Sequence, residues 1–264
     1  MNFFSHLFTK KSEKYVLVIS GGGVRWFYAL WVLKAIEELW LKDKIEIVYG
    51  VSAGAIVGSY WAAGYSAQEI FDTMIGFKLM SWKMLNLLSK KSLLAHTLLK
   101  EKFSHELPKH FEDLKKKLFI GCVDTHKATF HLFKEGDLIH PLLGSMSIPG
   151  IFPPIEYKTH CLVDWGVLNN FPVDIAKREY PNHKIIGIYL NHFMEDQKIK
   201  NILDSLSLTY EILLRWPCIP KLSIPDYTLS RALNIKVLSA DTKKMKKIFE
   251  LGYADGLYTL WSIH

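Results

Sequence analysis

Gly50-Val51-Ser52-Ala53-Gly54 constrains this chain more than any other stretch. Ile45 to Tyr49 before it is apolar and β-branched and reads as a buried strand; Ala55 to Ala63 after it is small, apolar and long enough for a helix. Gly-x-Ser-x-Gly between a strand and a helix is the nucleophile-elbow pattern, a turn so tight that the serine sits on a strained tip. Gly50 and Gly54 are required because a Cβ at either would collide with the neighbouring strand or helix. The tip also aims Ser52 at a helix N-terminus, whose free N–H groups favour negative charge. A plain tight turn has the same spacing, so the rest of the chain must decide between the two.

Tyr15 to Ile19 is a second β-branched apolar run, followed by Ser20-Gly21-Gly22-Gly23 and then a helix from about Val24 to Leu39. Strand, glycine loop and helix form the first half of a β-α-β unit that Ile45 to Tyr49 completes. The crossover brings the glycine loop beside the serine elbow, at the carboxyl ends of adjacent parallel strands, where open α/β sheets place their chemistry. Bare backbone N–H groups at Gly21 to Gly23 suit an oxyanion growing from Ser52, each such donor lowering a barrier by about 3 kcal/mol. A dinucleotide site would need a third glycine where Trp26 stands and an acid closing the second strand where Tyr49 stands. A phosphate P-loop would need Gly-Lys-Ser/Thr, which is absent. Arg25 reads equally as a brace for the loop, a contact for a phosphate head group, or a surface side chain.

The length, 264 residues, suits one α/β domain with a large core, and no apolar run reaches the ~18 residues of a membrane span. Residues 1–14 lack the pattern of a signal peptide and read as a poorly ordered lead. Cys122, Cys161 and Cys218 are odd in number and lack metal-ligand spacing, as in reduced core thiols of a cytoplasmic protein. The net charge of +7 suits an anionic partner, although solubility alone would account for it, and nothing points to nucleic acid. Ser66 to Glu69 is a capping box opening a helix. From Phe77 to Phe103, apolar residues alternate with Lys83, Lys90, Lys91, Lys100 and Lys102, a basic amphipathic character that suits either an anionic lipid surface or core-packed helices with solvated lysines. Further strands are expected at Leu118 to Val123, Ala128 to Phe133, Cys161 to Val163 and, as the last core strand, Lys184 to Leu190. Helices are expected at Asn201 to Leu214, Asp241 to Leu251 and Tyr253 to Trp261.

A serine hydroxyl at neutral pH needs a base within hydrogen-bond reach. Asp164 ends a short apolar strand in the turn Asp164-Trp165-Gly166, and burial beside the serine would raise its pKa toward the working range. Asp124 and Asp137 also follow strands but lack that turn. A capping role is the alternative for all three.

Together Gly21-Gly22-Gly23-Val24-Arg25, the Gly50 to Gly54 elbow, the loop Ser147 to Pro154, and Asp164-Trp165-Gly166 with Asn169-Asn170-Phe171-Pro172 resemble, in order, the motifs of the patatin-like phospholipases. The resemblance runs from about Tyr15 to Leu190. It implies a three-layer α/β/α sandwich with a mainly parallel sheet over 15–264, its C-terminal part helical. It also implies a Ser-Asp dyad that uses no histidine, metal or cofactor. Ser52 would then be the nucleophile and Asp164 the base, with Gly21, Gly22, Gly23, Val24 and Arg25 forming the oxyanion loop. Gly50 and Gly54 would shape the elbow, and Gly166 the aspartate turn. The implied reaction is hydrolysis of fatty-acyl esters in phospholipids or lysophospholipids through an acyl-enzyme; the cysteines and the lysine-rich stretch put it in the cytoplasm, with peripheral membrane contact as an option.

Trp26, Trp31, Trp40 and Trp165 stand where that family typically carries glycine, and they are half of the chain's 8 tryptophans. An indole beside a loop that must approach a substrate is expected to clash and impair catalysis. Four identical glycine-to-tryptophan changes point to a gene in which UGA encodes glycine, translated with UGA as tryptophan. Two other functions compete. One is an α/β-hydrolase esterase with a Ser-His-Asp triad, drawing on His183, His192 or His264. The other is a non-catalytic lipid-binding or scaffolding member of the same fold.

Overall fold

The computed structural model describes residues 13–76, 90–164, 166–192, 199–233, 235 and 242–263. Strand β1 (Tyr15–Ile19) is buried throughout, and its alternation is two-sided. Tyr15, Leu17 and Ile19 pack into one apolar cluster, while Val16 and Val18 pack into another on the opposite face. A sheet with both faces covered needs apolar residues at every position, which is why this run has no polar phase.

A 3-10 turn over Gly23–Arg25 leads into helix α1 (Trp26–Glu38), and strand β2 (Ile45–Val51) follows. After the elbow come helix α2 (Ala53–Ala63), helix α3 (Ala67–Gly76) and helix α4 (Lys90–Glu106). The Ser66 capping box forms: Glu69 N–H donates to Ser66 Oγ, and the Glu69 carboxylate accepts from Ser66 N–H. Lys83 lies outside the described residues. Lys102 pairs with Glu106 at 2.6 Å, and Lys100 Nζ sits 3.3 Å from His140 Nε2. This part of the lysine-rich segment therefore packs on the protein.

Strands β3 (Lys117–Asp124) and β4 (Thr129–Phe133) are joined antiparallel. Helix α5 (Ile139–Ser145), strands β5 (Ile155–Tyr157) and β6 (His160–Val163), helix α6 (Gly166–Asn169), helix α7 (Val173–Glu179) and strand β7 (Lys184–Tyr189) follow. Helix α8 (Ile202–Arg215) leads through a 3-10 segment, Trp216–Lys221, to strand β8 (Tyr227–Ser230) and helix α9 (Thr242–Leu260). The parallel strands run in the order β8-β7-β1-β2-β3. Among the described residues this is an α/β fold with a mainly parallel sheet and helices over both faces.

Three expectations change. Lys184–Tyr189 is not the last strand, because β8 extends the sheet beyond it. β5 is a strand the sequence did not announce, only three residues long. The two expected C-terminal helices are one, α9, unbroken through Gly252. A Cβ on Gly252 would lie 2.4 Å from the Tyr28 carbonyl oxygen, so this glycine serves close packing of α9 on α1 rather than a helix break.

Trp40 takes the left-handed conformation, φ 55, just after α1. Its N–H bonds the Glu37 carbonyl and the Leu41 N–H bonds the Ile36 carbonyl, the helix-stop geometry in which glycine is favoured. Its indole is 79 % exposed.

Candidate active site

The pairing registers around β3 assemble the site. Gly121 pairs with Val51 of β2 and with Leu132 of β4, so β2 and β4 flank opposite sides of β3. Val123 pairs with Phe130 of β4 and Val163 of β6, which places β6 on the β2 side. There β2, running parallel to β3, stops opposite Gly121, and β6, running antiparallel, stops opposite Val123. The two strands meet head-on across one residue, Cys122. The next residue of each strand enters that gap: Ser52 from β2 and Asp164 from β6.

Ser52 Oγ donates to Asp164 Oδ2 at 2.5 Å. Ser52 is 8 % exposed and Asp164 1 %. Burial pushes the Asp164 carboxyl up to about 7, against the opposing pull of the Ser52 hydroxyl and the Gly166 amide. The Cys122 thiol is pushed well up by burial and then by the charge of Asp164.

The elbow has the strain its sequence implies. Ser52 sits at φ 53, ψ −123, a conformation costing about 1–3 kcal/mol outside glycine. A Cβ on Gly54 would lie 2.3 Å from the Ile19 carbonyl oxygen of β1, and one on Gly50 2.6 Å from the Gly54 carbonyl oxygen. Ser52 N–H donates to Ser145 Oγ at 2.8 Å, whose hydroxyl in turn donates to the Gly121 carbonyl at 2.7 Å. Ser145 thus ties the tip to β3.

The glycine loop differs from expectation in which amides it offers. Gly21 N–H is already donated, to Asn170 Oδ1 at 3.1 Å, and Arg25 N–H to the Gly22 carbonyl. The Gly21 carbonyl accepts from Asn170 and from Asn191, at 3.3 and 2.5 Å. Gly22 and Gly23 line the cavity at Ser52, and no described residue takes their amide hydrogens. The Arg25 side chain is a brace: 2 % exposed, it donates to the carbonyls of Ile235 and Leu190 and pairs with Glu211 at 2.9 Å. Val24 is buried in the core beside it. Asn191 and Ser145 are supports without a sequence signal, and Asn170, though part of the aspartate motif, shows its role only here, because each acts on a segment far away in the chain.

Trp26, expected to crowd the approach to the loop, is turned into the core. Its ring stacks on Phe27 in the core, centroids 4.0 Å apart, and it is not among the residues lining the Ser52 cavity. Trp31 packs edge-on to Tyr253 between α1 and α9. Trp165 lies outside the described residues. The rival carboxylates hold turns: Asp124 pairs with His160 and accepts from the Cys161 amide, and Asp137 accepts from the His140 amide. His183 stands near Glu46 and His192 near Ser230, so neither bonds Ser52 or Asp164; His264 lies outside the described residues.

Among the described residues the cavity at Ser52 holds about 10 Å³, room for roughly one water. Gly21, Gly22, Gly23, Ile148 of the proline-rich loop and Asn170 line it, with Tyr210 and Leu214 from α8. The Tyr210 phenol is held neutral by burial and by the Asp164 charge.

The patatin-like phospholipase family model matches residues 17–177. A probable lipid hydrolase, 463L, of Invertebrate iridescent virus 6 is 31 % identical over 217 residues, 70 % of this chain and 73 % of that protein. Lysophospholipase NTE1 of Meyerozyma guilliermondii is 26 % identical over 95 % of this chain, which spans only 20 % of that protein's length. Among solved structures, VipD from Legionella pneumophila superposes with a TM-score of 0.57 over 95 % of this chain and 67 % of its own, at 14 % identity, a likeness of fold. The matched span takes in the glycine loop, the elbow, Asp164 and Asn170, and on these grounds the chain belongs to the patatin-like phospholipase family.

Proposed function

We propose that this protein is a serine acyl hydrolase acting on fatty-acyl esters of phospholipids or lysophospholipids through a Ser52–Asp164 dyad. The observation that carries the reading is the 2.5 Å contact between the Ser52 hydroxyl and a buried carboxylate whose pKa is raised to about 7. Such a carboxylate is about half ionised at pH 7 and basic enough to take the serine proton. Among the described residues no histidine bonds either group, which disfavours a triad.

As Ser52 Oγ attacks the ester carbonyl, its proton passes to Asp164 Oδ2. The carbonyl oxygen gains negative charge and is met by the Gly22 and Gly23 amides, held in place by Asn170 on Gly21 and by Arg25 behind the loop. Collapse of the tetrahedral adduct expels the alcohol, which takes the proton from Asp164 and leaves the acyl group on Ser52. Water then attacks the acyl carbonyl as Asp164 Oδ2 accepts its proton; collapse of this second adduct breaks the bond to Ser52 Oγ, which takes that proton back from Asp164, and the fatty acid departs. Peripheral contact with an anionic membrane belongs to the same reading.

The test is a fluorophosphonate probe. It should label the protein at Ser52 and leave Ser52→Ala unlabelled, with loss of lysophospholipid hydrolysis in parallel. Equal labelling of the two proteins would sink the assignment, and absence of labelling under every condition would favour a non-catalytic lipid-binding role.

A further inference from the structure

Helix α8 is apolar on two sides. Inward, Leu214 is buried and lines the Ser52 cavity with Tyr210, while Glu211 is buried against Arg25, whose backbone follows the glycine loop. Outward, Ile202, Leu206, Leu213 and Trp216 lie on one side of the helix, spaced one, two and one turns apart with Thr209 in the gap, at 78 %, 59 %, 44 % and 74 % exposure, and Ile219 follows in the 3-10 segment. Of a helix whose two faces are both apolar, the outward one has no partner among the described residues. Lys200 and Arg215 stand at its two ends, and the protein as a whole is cationic, +7. Its acids do not oppose an anionic surface from the stripe: Glu211 faces inward, and Asp204 accepts from the Lys200 amide at the N-cap. Trp216 at the rim suits the boundary between head groups and acyl chains.

The cavity that the described residues leave beneath α8 is too small to receive substrate. About 10 Å³ is far below the several hundred Å³ that a drug-sized ligand occupies, and an acyl chain is longer still. Tyr210 and Leu214 belong to the wall that must move, and they share a helix with the exposed stripe. We propose that the outward face of α8 and the following 3-10 segment docks on an anionic phospholipid bilayer, and that this docking draws α8 off Ser52. The inference rests on the hydrolase reading of the same site. It adds how the site is reached and from which surface. Breaking the buried Arg25–Glu211 pair is the cost that keeps the site shut away from lipid, and burial of the stripe offsets it.

Binding and opening can be measured separately. Vesicles of mixed phosphatidylglycerol and phosphatidylcholine dialkyl ethers carry no acyl ester, so turnover does not intervene. Ser52→Ala should sediment with them, more weakly with phosphatidylcholine ether alone. Adding Leu206→Ser and Trp216→Ser should weaken binding by roughly tenfold or more, given the area each side chain offers. Tyr258→Ser, a 90 % exposed aromatic on α9, should leave it unchanged. Equal binding by the stripe variant, or its conversion from dimer to monomer in sedimentation without loss of vesicle binding, overturns docking. Opening is read as the rate at which a soluble fluorophosphonate labels Ser52, expected to rise roughly tenfold when the vesicles are added. An unchanged rate overturns the opening. Stripe-dependent vesicle binding with no labelling at Ser52 under any condition would support docking and sink the hydrolase reading instead.

Discussion

Ser52 Oγ and Asp164 Oδ2 are 2.5 Å apart although 112 residues separate them in the chain. With one proton to share and no third side chain bonded to either among the described residues, removing either partner should cost the same step. Ser52→Ala and Asp164→Asn are each expected to lower kcat/KM for a short-chain ester by about 10³ or more, and the double variant to be little worse than either. Additive losses would mean that the two residues do not act as a unit.

The raised carboxyl sets the pH profile. Asp164 must be ionised to accept the serine proton, so kcat/KM should rise about tenfold per pH unit up to about 7 and level off above it. A profile flat from pH 5 to 8 would show that another group is the base.

The same carboxyl links stability to pH. Its folded pKa, about 7, lies above the unfolded value near 3.9, so between the two the native state holds a proton that the unfolded chain does not. Stability should fall as pH rises from 4 to 7, by up to about 4 kcal/mol, and stay level above. Asp164→Asn should remove that contribution to the slope and be more stable than the parent at pH 8, as read from melting curves across pH.

Asn170 holds the glycine loop through both the N–H and the carbonyl of Gly21. Asn170→Ala leaves the buried Gly21 N–H without its partner, at about 1–3 kcal/mol, while the Gly21 carbonyl keeps Asn191. A fall in kcat of about 100-fold is expected, with KM changed far less, because the loop's amides matter once the oxyanion forms. A variant that loses only stability and keeps kcat would make Asn170 structural.

Trp40 holds a left-handed φ of 55 with its indole in solvent. That conformation costs a non-glycine residue about 1–2 kcal/mol, and an exposed ring returns little in packing. Trp40→Gly should therefore raise the melting temperature by about 2–4 °C. The coding DNA is expected to read UGA at 26, 31, 40 and 165; UGG there would end the recoding explanation.

The parts of the site legible in the sequence are those whose causes are local. Gly50 and Gly54 announce the elbow because one turn dictates both, and the capping box at Ser66 is spelled within four residues. Arg25 was ambiguous because its partners, Glu211 and the Ile235 carbonyl, lie about 200 positions away. Strands β5 and β8 are too short to display a period. Gly252 looked like punctuation because its reason, the Tyr28 carbonyl pressed against it, belongs to another helix. The aspartate turn was recognisable, but not that its strand approaches from beyond the tip of β2.

That head-on approach has a consequence for how this protein tolerates insertions and deletions. Strand residues alternate between faces, so one residue added or removed within His160–Val163 would put the carboxylate out of phase and send it to the far side of the sheet. The loop that precedes β5 is tied to the same point, since the Ser147 carbonyl accepts from the Asp164 amide and Ile148 lines the cavity; only its tip around Gly150, where an added Cβ meets nothing, is open to a change of length.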